Sequence, residues 1–124
     1  CDIEQADAIL CFDASLLEGR LLAAARADTL IVVNSARSAD EFARLMSGYR
    51  VIPVDGLAIS RRAGLGRIVN SALLGALARA VGDPPLETLE HVLREQTPKL
   101  QAENVAACVE GYRTVHAQLE AAAA

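Results

Sequence analysis

The 124-residue chain has no tryptophan and only two Phe and two Tyr. A core made from it must use Ala, Leu, Val and Ile, and must pack by close approach of small side chains. Cysteine is also scarce. Cys1, Cys11 and Cys108 are odd in number and widely spaced, and no C-x-x-C pair occurs. That argues against a zinc or iron–sulfur site built within this chain. It also favours a reducing, cytoplasmic setting. No cluster of Lys or Arg stands out, and the formal net charge is -4. A phosphate-tracking surface for nucleic acid needs the opposite balance. The longest uncharged helical stretch, Ile68 to Ala78, is far below the roughly 20 residues of a membrane span. The opening Cys-Asp-Ile-Glu-Gln is neither basic nor apolar, so it does not read as a secretory signal.

What the chain does have is apolar content, 52% of its residues. That is well above a disordered composition, and the length suits one domain over residues 1–124. The run Ala8 to Asp13 is continuous, apolar and short, as a buried strand is. Ser15 followed by Glu18 forms a capping-box pattern for a helix from Leu16 to Arg26. Thr29 to Asn34 repeats the strand design with β-branched residues. Ser38 with Glu41 starts a further helix toward Met46. Arg50 to Val54 is a third strand, and Pro53 places it at an edge or near its end. Strands alternating with helices over 1–54 indicate an α/β fold with a mainly parallel, partial doubly wound sheet.

From residue 55 the pattern becomes helical to the end. Asp55 to Ala63 fits a short helix stopped by Gly64-Leu-Gly66. Arg67 to Val81 is apolar nearly all the way round, which predicts a helix buried in the protein or held at an interface. Ala72, Gly75, Ala76 and Ala78 would let another backbone come close. Gly75 costs about 1 kcal/mol relative to Ala in a helix, so a packing contact is the expected compensation. Gly82-Asp-Pro-Pro85 breaks the chain. Leu86, Leu89 and Leu93 then mark an amphipathic helix. Thr97-Pro98 reads as the cap and first turn of the last helix. That helix carries Val105, Cys108, Val109, Tyr112, Val115 and Leu119 on one stripe.

Residues that bear chemistry are few. Asp13 and Ser15 follow one strand, and Asn34 and Ser35 follow the next, where open α/β sheets bind ligands. Capping and turning the chain is the other reading of Asp13 and Ser15. Asn70 enters an apolar helix, so its amide needs a partner, either a backbone loop or a ligand or subunit. Arg61 and Arg62 form a helix end able to meet a phosphate or simply solvent. His91 and His116 fall on polar helix faces. No spacing suggests a nucleophile–His–Asp arrangement or a tuned carboxylate pair.

The order of segments resembles the gamma subunits of 2-oxoacid:ferredoxin oxidoreductases, the group of pyruvate synthase and the 2-oxoglutarate, phenylglyoxylate and indolepyruvate enzymes. The carrying residues are Ala6 to Glu18, Thr29 to Ser35 and Val54-Asp-Gly-Leu-Ala-Ile59. The most specific run is Arg67-Ile-Val-Asn-Ser-Ala-Leu-Leu-Gly-Ala-Leu77, followed by Leu86-Glu-Thr-Leu-Glu90, Glu103-Asn104 and Glu110-Gly-Tyr112. Such subunits open with a glycine-rich strand–turn–helix that has no counterpart here, so the chain resembles the C-terminal two-thirds of one.

The resemblance implies an accessory subunit of a hetero-oligomeric complex. That complex decarboxylates a 2-oxoacid oxidatively to an acyl-coenzyme A and passes electrons to ferredoxin. Thiamine diphosphate, Mg2+ and [4Fe–4S] clusters are then expected on companion subunits, none of them bound by this chain alone. Asp13, Ser15, Asn34, Ser35 and Asn70 become candidates for facing coenzyme A or a subunit. A stand-alone nucleotide- or coenzyme-binding module and a structural dimerisation unit are the alternatives. The missing glycine-rich turn weighs against the module, because that turn supplies the N–H groups that hold a pyrophosphate.

Overall fold

The computed structural model describes residues 6–12, 25–46, 48–97 and 99–123. Among the described residues three strands form one sheet in the order β1 (Ala6–Cys11), β2 (Ala25–Asn34), β3 (Arg50–Val54), and both pairings are parallel. β2 is central and both of its faces are covered. Ile31, Val32 and Val33 are each 0% exposed, which is why this strand reads as an unbroken apolar run rather than an alternating one. The register aligns Ile9 with Ile31 and Ile31 with Val51, and it shifts between Ala6 and Ala8.

Alternation along the strands sorts their side chains into two layers. Leu30, Val32, Ile52 and Val54 pack with Ile59, Leu73, Ala76, Ala107 and Val115. On the opposite face Cys11 and Val33 pack with Phe42 of α1 (Ala39–Leu45). Ser38 caps α1 by accepting from the Glu41 N–H at 3.2 Å, as the Ser-x-x-Glu spacing predicts.

Four helices follow β3: α2 (Gly56–Ala63), α3 (Asn70–Val81), α4 (Leu86–Gln96) and α5 (Gln101–Ala123). Asp55 caps α2 by accepting from the Ala58 N–H at 3.0 Å. Gly64 ends it in the left-handed region at φ 89°, a conformation that favours glycine. α4 buries Leu89 and Leu93, matching its expected apolar stripe.

The dominant contact is the seam between α3 and α5. A Cβ on Gly75 would lie well inside 3.0 Å of the Cys108 carbonyl oxygen, and one on Gly111 equally close to that of Ala72. The helix backbones therefore touch at two reciprocal glycines. Ser71 Oγ donates to Asn104 Oδ1 at 2.5 Å, and Arg79 Nε donates to His116 Nδ1 at 2.9 Å. The pairs 71/104, 75/108 and 79/116 advance together, so the two helices run parallel and α4 makes the return.

At the edge of the sheet, Ser35 N donates to the Val54 carbonyl at 3.1 Å, which turns that carbonyl toward β2. The preceding carbonyl, that of Pro53, points the other way and accepts from Gln118 Nε2 at 2.7 Å. Pro53 thus removes a donor from the outer edge of β3, and Gln118 occupies an acceptor there. Edge strands are commonly protected by such means.

Three sequence expectations need correction. β2 begins at Ala25, so Ala25 and Arg26 are strand, not the end of a helix; the rest of Leu16 to Arg26, with Ser15, lies outside the described residues. Thr97 ends α4, its hydroxyl donating to the Leu93 carbonyl, and α5 begins only at Gln101. α3 begins at Asn70 rather than Arg67, because Ile68 N closes a turn onto the Leu65 carbonyl at 3.3 Å. α3 buries its small residues, while Leu74 is 40% and Val81 53% exposed.

Candidate functional site

The sheet delivers the candidate residues to its carboxyl end. Asn34 closes β2, and its Oδ1 accepts from the Gly56 N–H at 2.9 Å. This bond ties the end of β2 to the first residue of α2. A Cβ on Gly56 would lie 2.9 Å from Asn34 Oδ1 and 3.4 Å from Val69 Cβ and Leu73 Cδ2. Glycine is needed there so that β2, α2 and the start of α3 can meet. Ser35 bonds through its N–H to Val54, and its Oγ accepts from the Arg37 N–H at 3.1 Å.

Ser35 Oγ therefore makes the local bond of a turn-forming residue, whereas Asn34 makes a long-range bond to the start of α2. Asn70 follows Val69 into the same corner, but it is exposed. α3 starts at Asn70, so the side chain stands at the solvent end of the helix rather than within it. Asp13 and Ser15 lie outside the described residues. Asp55 and Gly56 are the members of this corner that sequence reasoning passed over. An Asp-Gly pair directly after a strand was the signal available for them.

The remaining polar groups serve packing. Arg62 Nε donates to Glu110 Oε1 at 2.9 Å across α2 and α5, while Arg61 is exposed. His91 lies 3.1 Å from Glu95 on the surface of α4. His116 is half exposed and accepts from Arg79, with Glu120 3.7 Å from its other nitrogen. Among the described residues no three of His, Cys, Asp and Glu gather as a metal site would require. Cys11 on β1 and Cys108 on α5 are both buried, in separate apolar clusters. Burial, then the charge of Glu90, pushes the Cys108 thiol up to about 11, so it rests as the neutral thiol. The described residues thus do not fit an iron–sulfur cluster. No helix among them is long and apolar enough to cross a membrane.

These features define a class: a parallel α/β chain in which Ser71–Asn104, Arg79–His116 and Arg62–Glu110 brace one helix against another. Residues 1–114 match the family described as Pyruvate ferredoxin/flavodoxin oxidoreductase, and the chain belongs to that family. It is 33% identical over 89 residues to the pyruvate synthase subunit PorC of Methanosarcina barkeri, covering 71% of this chain and 48% of that one. Over 90 residues it is 30% identical to the PorC subunit of Thermotoga maritima, covering 71% and 46%. The crystal structure of the pyruvate oxidoreductase subunit PORC from Thermotoga maritima superposes with a TM-score of 0.77 at 28% identity. That match covers 90% of this chain and 64% of the other. The chain spans about half the length of the curated relatives it matches. The resemblance read from the sequence, and its α/β expectation, are borne out.

Two of the specific runs acquire a physical meaning. Ser71 and Gly75 lie in the Arg67 to Leu77 run, and they meet Asn104 and Cys108. Gly111, from Glu110-Gly-Tyr112, meets Ala72.

Proposed function

We propose that the chain is an accessory, gamma-type component of a 2-oxoacid:ferredoxin oxidoreductase complex that converts a 2-oxoacid such as pyruvate to an acyl-coenzyme A. The observation that carries this reading is the family match over residues 1–114, with relatives that are themselves named as subunits. Thiamine diphosphate with Mg2+ and [4Fe–4S] clusters supply the decarboxylation and electron-transfer chemistry on companion subunits, and ferredoxin receives the electrons. This chain supplies a rigid body: a short parallel sheet braced by the α3–α5 seam. Its part in the reaction is to hold the carboxyl-end corner in place. There the exposed Asn70, next to the turn of Asn34 and Ser35, faces coenzyme A or a neighbouring subunit; Asp13 and Ser15 belong to the same proposed region.

The test is reconstitution of the complex with and without this chain, following pyruvate-dependent reduction of ferredoxin. The expected result is activity only when chain and companions are combined. Turnover of pyruvate by the chain alone would overturn the reading, as would full activity of the companions without it. Within the active complex, Asn70→Ala should raise the KM for coenzyme A and leave the KM for the 2-oxoacid unchanged. An unaltered KM for coenzyme A removes Asn70 from that role.

A further inference from the structure

We draw no further inference here: the strongest candidate, the exposed apolar flank of α3 formed by Leu74 and Val81 with half-buried Leu77 on the side turned away from α5, is an unpartnered face, and nothing in the structure shows what covers it.

Discussion

Gly75 sits where two opposing effects can be compared. Alanine would improve its helix propensity by about 1 kcal/mol. It would also drive a methyl group into the Cys108 carbonyl oxygen, a backbone atom that no rotamer change can move aside. Overpacking of this kind costs about 1–3 kcal/mol, sometimes more, so the clash prevails. Gly75→Ala and Gly111→Ala should each lower the melting temperature followed by circular dichroism. The double variant should lose less than the sum, since the helices need to separate only once. A melting temperature equal to or above that of the parent would refute the close seam. Cys108 offers a second test nearby. It is fully buried, and its thiol is raised from 9.0 to about 11. The fold favours the neutral thiol. Its contribution is therefore intact below about pH 9 and is lost as pH climbs from about 9 to about 11. A shift of this size is worth up to about 3 kcal/mol. Urea unfolding at pH 8 and pH 11 should show a steeper loss in the parent than in Cys108→Ala. Parallel losses in the two would mean that the thiol does not titrate as its burial requires.

At the level of elements, legibility follows the kind of signal each one carries. β2 was readable because a fully covered strand has only one way to look, a β-branched apolar run. α1 was readable because Ser38 and Glu41 encode a geometry. Two of the ends that were misread carry ambiguous signals. Thr97-Pro98 suits the start of a helix, yet a threonine hydroxyl can also bond back to the carbonyl four residues earlier, as it does to Leu93. Ile68 and Val69 continue the apolar pattern of α3 but belong to the turn before it. The stripe expected on α5 holds, with Cys108 and Val115 fully buried and Val105, Tyr112 and Leu119 packed beside the core, but it left out Ala107 and Gly111, small buried residues of the same helix. Pro53 was legible as an edge signal, but Gln118 was not, because its partner lies 65 residues away. The pair can be tested together. Pro53→Val restores a donor to the outer edge of β3, and Gln118→Ala frees its acceptor. The double variant should associate in a concentration-dependent way in light scattering, while the parent does not change with concentration. Equal behaviour would show that this edge needs no protection.

On the scale of the whole molecule, the candidate site was legible as a place more than as a set of groups. The rule that ligands approach the carboxyl ends of parallel strands pointed to Asn34 and Ser35 correctly as neighbours of that corner. It could not tell that Asn34 spends its carbonyl on Gly56, because that bond depends on how α2 leaves β3. Among the described residues the apolar clusters on the two faces of the sheet are unequal, and this predicts how α1 opens relative to the core. One face joins the sheet, α2, α3 and α5 in a single large cluster. On the other, α1 is fastened by one buried side chain, Phe42, against Cys11 and Val33. Removing α1 from the sheet breaks a small apolar contact, whereas removing α3 breaks the main core. Local openings take the weakly fastened elements first. Amide hydrogen exchange followed by mass spectrometry should therefore show residues 39–45 exchanging through a low-energy opening. Residues 30–33, 71–80 and 105–115 should exchange only near the global unfolding free energy. Phe42→Ala should speed exchange in α1 many-fold and leave the α3–α5 segments at their parent rates relative to global stability. Protection of α1 equal to that of β2 would mean that the minor face is held by more than Phe42, and the unequal-layer account would fail.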